Sequence, residues 1–229
     1  MNQCVVMTTS CGVLRIELFE DKAPISAQNF LAYAERGFYH NTLFHRVIKD
    51  VLIHGGGYEL GLQRKRPRAP IRNESANGLL NRRGTLAYAR THNPDSATNQ
   101  FFINLDENRM LDRDRCPDGI GYCVFGQVID GLEVADRIAS VPTVSFSGLK
   151  NVPSEEVFIH SVLSLRQIER EHAGDENVRG LIAALCQPDG DRHLWDILGD
   201  RLEDIGSRFA PQARPALFVE LMNQGGCST

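Results

Sequence analysis

Apolar and polar residues alternate in several short stretches of the chain. Leu14, Ile16 and Leu18 are separated by Arg15 and Glu17, which is the period-two pattern of a strand with one buried face. With residues 4–7 this stretch predicts a hairpin whose turn lies at 8–10. Other short apolar runs, rich in β-branched and aromatic residues, predict further strands. They lie at 44–53 (broken at Lys49–Asp50), 84–89, 100–105, 122–129 and 154–168.

Two segments follow helical spacing instead. Pro24 opens a helix through Glu35, with a stripe of apolar residues on one face and Gly37 just beyond its end. Residues 131–139 predict a second helix, whereas residues 58–83 are loop-like. Many short strands with only two helices favour a mainly β fold, a closed antiparallel barrel with a helix at each end.

The pattern changes near residue 167. Residues 167–177 are charged and predict a linker, and residues 175–224 predict three short helices, each with one apolar side. We therefore divide the chain into a first domain, 1–167, and a helical extension, 168–229. About 50 residues are marginal for an independent core, so the extension is expected to dock on the barrel or on a partner protein.

Composition narrows the classes of function. With 229 residues, 42% hydrophobic and 24% charged, the chain has the composition of a soluble globular protein. A net charge of −4 gives no reason to expect nucleic acid as a partner, and the basic run 63–68 is expected to be a solvated loop. No stretch approaches the ~20 apolar residues of a membrane span.

The six cysteines include no C-x-x-C pair, and no secretion signal is visible. We expect free thiols and a cytoplasmic location. If Cys4 and Cys11 lie opposite each other on the first hairpin, one disulfide is possible under oxidation.

The stretch "FHRVIKDVLIHGGG", residues 44–57, carries the first candidate chemistry. It places Arg46 within a strand and ends in three glycines, and on its own it is compatible with a solvent-facing arginine and an ordinary turn. Two other kinds of site are disfavoured. The glycines are not followed by the Lys-Ser/Thr of a phosphate loop. Four of the seven histidines, His40, His45, His54 and His92, are scattered without the spacing of metal ligands.

Five motifs in order, "FHRVI", "GGG", "GTLAYAR", "ATNQFFIN" and "GYCVFGQVIDG", make residues 1–167 resemble the cyclophilins. The resemblance is strongest to the short bacterial cytoplasmic members. It implies an eight-stranded antiparallel barrel capped by two helices, and peptidyl-prolyl cis-trans isomerase activity without a cofactor or metal. The implied partners are proline-containing peptides and folding protein chains.

The resemblance also implies roles for individual residues. Arg46 matches the catalytic cation, and the glycines would allow a sharp turn beside the groove. Phe102 would form the floor of a proline pocket with Leu52 and Leu111 as walls. The other implied substrate-binding residues are Ala89 and Arg90 (through backbone groups), Gln100 and Tyr122.

Three further substrate-binding positions depart from the family pattern. Val51 stands where phenylalanine is usual, His54 where glutamine is usual, and Met110 where tryptophan or phenylalanine is usual. Valine for phenylalanine removes of order 1–2 kcal/mol of apolar contact at ~25 cal/mol/Å². Met110 argues against tight cyclosporin binding. We therefore keep two hypotheses, a working isomerase of moderate activity and a weakened proline-peptide-binding scaffold whose helical extension docks a partner.

Overall fold

A closed antiparallel β-barrel forms the body of the protein. The computed structural model describes residues 3–187 and 193–210 of the chain. Eight strands are hydrogen-bonded in the order β3-β11-β1-β2-β8-β6-β7-β4, and β4 pairs back with β3 to close the ring. The predicted mainly β, eight-stranded barrel is confirmed. Its strands are β1 (Gln3–Thr9), β2 (Gly12–Leu18), β3 (Thr42–Ile48), β4 (Leu52–Glu59), β6 (Thr85–Tyr88), β7 (Phe101–Asn104), β8 (Val124–Asp130) and β11 (Phe158–Ser164).

Three short strands lie outside this ring. β5 (Gln63–Arg64) extends the sheet beside β4, and β9 (Thr143–Phe146) pairs with β10 (Leu149–Pro153) in a separate hairpin. The hydrophobic pattern missed this hairpin because every residue of β9 is exposed, including Val144 and Phe146. A strand with no buried face has no alternation for the pattern to show.

The two predicted barrel helices are present. They are α1 (Pro24–Ala34) and α2 (Leu132–Ala139). Phe30 of α1 and Ile138 of α2 are fully buried in the same cluster as Val5 and Met7, which point from β1 into the barrel. Both helices therefore cover the apolar interior that the eight strands enclose.

The first hairpin turns later than predicted. Thr9 pairs with Gly12, so the two-residue turn is Ser10–Cys11 and the turn predicted at 8–10 is wrong. Cys4 pairs with Glu17 and lies far along the strand from Cys11. The postulated Cys4–Cys11 disulfide is therefore wrong, since the two residues are not opposite each other.

The strand predicted over 154–168 is too long at both ends. β11 stops at Ser164, whose side chain accepts a hydrogen bond from the Gln167 N–H and caps a helix, α3 (Leu165–Glu171). Most of the predicted charged linker is therefore helical. α4 (Glu176–Leu185) and α5 (His193–Asp204) follow, as predicted. The third predicted helix, beginning at Pro215, lies outside the described residues.

The described part of the helical extension packs on the outside of the barrel. Fully buried Val178 and Leu198, from α4 and α5, share one apolar cluster with Val6 of β1 and Leu163 of β11. Arg15 of β2, itself buried, donates a hydrogen bond to a carbonyl at the end of α4 over 3.0 Å. The extension was expected to dock either on the barrel or on a partner protein, and its described part docks on the barrel. The domain boundary at 167/168 remains a prediction; it falls within α3.

Most of the segment 58–83 is irregular, as predicted, but residues 58–59 belong to β4 and Gln63–Arg64 form β5. The segment is fixed to the barrel at several points. Within its basic run, Lys65 donates a hydrogen bond to the Phe38 carbonyl over 2.7 Å and lies 4.9 Å from the centre of the Phe38 ring. The expectation of a wholly solvated loop is therefore wrong for Lys65. In the described ranges, no helix has the length and apolar character needed to span a membrane.

Candidate active site

A groove of about 610 Å³ lies on the outer face of the barrel where β3, β4 and β7 meet. Of the eleven predicted site residues, ten line this groove, although they come from six separate parts of the chain. They are Arg46, Val51, Leu52, His54, Ala89, Arg90, Phe102, Met110, Leu111 and Tyr122. The eleventh, Gln100, lies beside it, at the start of β7.

Arg46 is the cation of the groove. It sits on β3 directly across from His54 of β4, next to an irregularity in the strand pairing between Phe44 and Arg46. Such an irregularity redirects a side chain out of the regular alternation of a sheet. Arg46 is exposed, and among the described residues its side chain makes no hydrogen bond or ion pair. Its guanidinium donors are available to a bound molecule.

An apolar pocket adjoins Arg46. Successive residues of β7 alternate, so Phe101 points into the barrel and Phe102 points out into the groove. Phe102 is only 3% exposed and packs edge-on against Tyr122, with ring centres 5.8 Å apart. Leu52 and Leu111 pack against the same cluster, whereas Met110 is 69% exposed at the rim. The pocket can take a small apolar ring.

Two histidines adjoin Arg46, and their rings are inclined at 58° to each other. The rings of His45 and His54 lie 4.4 Å apart, and His45 in turn lies 4.5 Å from Tyr58. Burial, with the nearby Arg46 charge, lowers the pKa of His45 to about 4. Burial also holds the pKa of His54 well below its usual value, as do the neighbouring His45 and Arg46, against a hydrogen bond with Gln100 that raises it. Both rings are therefore neutral near pH 7.

The three glycines allow close packing instead of the turn that was predicted. Gly55, Gly56 and Gly57 lie inside β4 and form no turn, so that expectation is wrong. A Cβ on Gly57 would come within 2.6 Å of the Gln100 side chain. Gly56 has φ +80°, and a Cβ there would come within 2.8 Å of the Phe101 ring. The glycines let Gln100 and Phe101 approach the strand closely.

Arg90 and Tyr122 form one wall of the groove. The Arg90 side chain is only 4% exposed, forms an ion pair with Asp118 and lies 4.6 Å from the centre of the Tyr122 ring. Hydrogen bonds from the backbone N–H groups of Ile120 and Gly121 hold the pKa of Asp118 below its usual range. The Ala89 N–H donates to the Gln100 carbonyl over 3.0 Å, so it is engaged within the protein.

The sequence reasoning missed four lining residues, Ile48, Glu107, Asn108 and Arg109. Asn108 donates from Nδ2 to the Val51 carbonyl over 2.8 Å and to Asn104 Oδ1 over 2.7 Å. It thereby ties the β3–β4 turn to the loop after β7. Glu107, Asn108 and Arg109 lie after β7 in a segment with no periodic pattern, and Ile48 is the last residue of β3, so only the three-dimensional structure shows that they face the groove.

No metal site is evident in the part of the chain that the structure describes. There, no three His, Cys, Asp or Glu side chains are placed to hold an ion together. The groove thus offers a charged donor, an apolar pocket and neutral rings, a set of groups suited to binding a peptide.

Comparisons with known proteins agree with this geometry. The sequence profile of the family described as cyclophilin type peptidyl-prolyl cis-trans isomerase/CLD matches residues 4–163. The peptidyl-prolyl cis-trans isomerase of Acinetobacter baylyi is 52% identical over 161 residues, 70% of this chain and 85% of that protein. The peptidyl-prolyl cis-trans isomerase B of Escherichia coli is 49% identical over 159 residues, 69% of this chain and 97% of that protein.

Among solved structures, a cyclophilin type isomerase of Cryptosporidium parvum superposes with a TM-score of 0.60 at 28% identity. The match covers 72% of this chain and 98% of that one. The helical extension lies beyond the residues that the family profile matches. Residues 4–163 and the barrel they form place the chain in the cyclophilin family of peptidyl-prolyl cis-trans isomerases.

Proposed function

We propose that this isomerase accelerates the rotation of X–Pro bonds in the groove around Arg46, with Arg46 as the catalytic cation. The observation that carries this proposal is the position of Arg46, exposed and without a protein partner among the described residues, at the edge of the Phe102 pocket.

The chemistry requires no bond to be made or broken. Rotation about the X–Pro amide faces a barrier of ~18–20 kcal/mol, because the C–N bond has partial double-bond character. In the twisted transition state the proline nitrogen regains its lone pair and can accept a hydrogen bond. Arg46 stays charged and offers donors in a rigid fork, so it stabilises that state more than the planar ground state.

The pocket supplies the second requirement, which is a fixed proline ring. Phe102 forms its floor, and Leu52 and Leu111 form its walls, so that the ring is held while the residue before it rotates. Gln100 and Tyr122 are proposed to position the peptide backbone, as are Ala89 and Arg90. Val51, His54 and Met110 border the same space and adjust how tightly the peptide is held. Neither a metal nor a cofactor has a step to perform in this mechanism.

The proposed substrates are proline-containing peptides and folding protein chains, and the proposed compartment is the cytoplasm. The cysteines of the described part are free, and Cys4 and Cys123 are buried as thiols, which suits a reducing compartment. The alternative of a weakened binding scaffold has no support, because the relatives reported above are named as isomerases. The described part of the extension is occupied by contacts with its own barrel.

Replacement of Arg46 tests this mechanism. We expect Arg46→Ala to lower kcat/KM at least ~100-fold, which corresponds to roughly 2.7 kcal/mol of transition-state stabilisation. Arg46→Lys should restore little, because a point charge lacks the planar fork. A protease-coupled assay on a proline tetrapeptide measures both variants.

Arg109→Ala is the matched control, since Arg109 lines the same groove with a side chain 73% exposed, outside the proposed catalytic set. It should keep nearly full activity. The mechanism fails if Arg46→Ala retains wild-type kcat/KM with an unchanged melting curve. It also fails if Arg109→Ala loses as much activity as Arg46→Ala.

A further inference from the structure

Two cysteines meet where the helical extension contacts the barrel. Cys4 lies on β1, and Cys186 is the residue that ends α4, 182 positions later in the chain. The Cys4 thiol donates a hydrogen bond to the Cys186 carbonyl oxygen over 3.9 Å, so the two cysteines are in direct contact. Cys4 is buried and Cys186 is half-buried, so the pair has one side open to small molecules.

The surroundings hold this pair in place. Arg15 donates to the carbonyl of Leu185, the neighbour of Cys186, over 3.0 Å. On the barrel side, Cys4 belongs to the same apolar cluster as Leu185. The docking of α4 on the barrel therefore fixes the position of Cys186 beside Cys4.

The two thiols are electrostatically unequal. The hydrogen bond from Cys4 lowers the pKa of Cys186, and the Arg15 charge adds to this against burial and Glu169. The same contact raises the pKa of Cys4, as does its burial. The lowered pKa makes Cys186 the more reactive sulfur of the two, because the thiolate is the nucleophile.

We propose that Cys4 and Cys186 form a peroxide-responsive pair that closes into a disulfide and fastens the helical extension to the barrel. The oxidant class is a hydroperoxide. The Cys186 thiolate attacks one peroxide oxygen, the O–O bond breaks, and the leaving hydroxide becomes water while Cys186 becomes a sulfenic acid. Cys4 then attacks that sulfur, the S–S bond forms and the S–O bond breaks.

The electron count closes. With hydrogen peroxide, two thiols lose two electrons and two protons in total, and one peroxide becomes two waters. The sulfurs must close from thiol contact to the ~2.05 Å of a disulfide, and the half-buried end of α4 provides the room for that movement. The pair faces away from the Arg46 groove, because β1 lies across the barrel from β4 and β7 in the strand order.

The test uses the reduced full-length chain exposed to hydrogen peroxide. Trypsin digestion without reduction, followed by mass spectrometry, should reveal a linked pair of peptides, 1–15 and 180–192, lighter by two hydrogens than their sum. The melting temperature should rise on oxidation and fall again with dithiothreitol, while kcat/KM stays unchanged.

Cysteine-to-serine variants identify the two residues that form the disulfide. Peptide 1–15 also contains Cys11, so Cys11→Ser must keep the link and Cys4→Ser must lose it. Cys116→Ser and Cys227→Ser must also keep it, whereas Cys186→Ser must abolish it and leave Cys4 as a thiol. The proposal is overturned if Cys186 reaches a sulfinic acid while Cys4 stays reduced. It is equally overturned if the link joins Cys11, Cys227 or a second copy of the chain.

Discussion

His45 makes the stability of this protein depend on pH. Its ring is 5% exposed, and its pKa is about 4, against an ordinary value near 6.5. In the unfolded chain the ring takes up a proton below pH 6.5, whereas in the folded chain it stays neutral until about pH 4. Between these values the unfolded state binds more protons, so the free energy of unfolding falls as the pH is lowered.

The size of the effect follows from the two pKa values. By linkage, His45 alone should cost about 2.5 kcal/mol of stability at pH 4.5 relative to pH 7.5. A loss of this size is a large share of the 5–15 kcal/mol by which native proteins are typically stable. His54, whose pKa is lowered in the same direction, should steepen the decline in the wild type.

The matched experiment compares the wild type with His45→Phe, which keeps an aromatic ring against Tyr58 but removes the titrating group. Urea unfolding at pH 7.5, 6.5, 5.5 and 4.5 gives the free energy of unfolding of each protein. From pH 7.5 to pH 4.5 the free energy of unfolding of the wild type should fall by about 2.5 kcal/mol more than that of His45→Phe. His92→Asn, an exposed histidine, serves as the control and should follow the wild type.

The reasoning is refuted if wild type and His45→Phe lose stability in parallel over this range. Parallel curves would mean that His45 titrates alike in the folded and unfolded chains, despite its burial.

Three further predictions concern the groove, metals and the extension. Val51→Phe and His54→Gln together restore the usual family residues and should raise kcat/KM about 10-fold, or ~1.4 kcal/mol. The effects should be more than additive, because both residues line the space around Arg46. A double variant that is folded but no faster would contradict this. Dialysis against a chelator should leave isomerase activity unchanged, and activity lost and then restored by zinc would refute a metal-free mechanism. Leu198→Ala, at a fully buried position of α5, should destabilise the extension by about 2–5 kcal/mol. The free energy of unfolding is measured in urea, with the fluorescence of the single tryptophan, Trp195, as the signal. Unchanged unfolding of that variant would show that the packing of α5 contributes little.

The barrel could be predicted from sequence because its strands have two different faces. Leu14, Ile16 and Leu18 of β2 enter the barrel core while the polar Arg15 and Glu17 between them do not, and this alternation can be read wherever one face is apolar. The need for one apolar face also explains why β9 was missed and why the strand at β11 was predicted too long. β9 is exposed throughout, and α3 begins directly at the end of β11, where an apolar run continues from a strand into a helix without a break.

The groove residues were found through motifs, and the geometry behind them was not predictable. No pattern shows that Asn108 reaches back to the Val51 carbonyl, or that Gly57 leaves room for Gln100. The contact between Cys4 and Cys186 is likewise invisible in sequence. It depends on the docking of α4, which local periodicity does not encode.

The strand order of the barrel also sets the sequence in which the protein can fold. β1 is the first strand of the barrel in chain order and β11 is the last, yet the two are neighbours, so that Val5 pairs with Ser164. Until that last strand is available, one edge of β1 and one edge of β3 remain open and the ring cannot close. Pairings so distant along the chain make folding slow, because much of the loop entropy is lost before they form. The platform for the helical extension is built from β1 and β11 together, and its assembly must therefore be among the last events of folding.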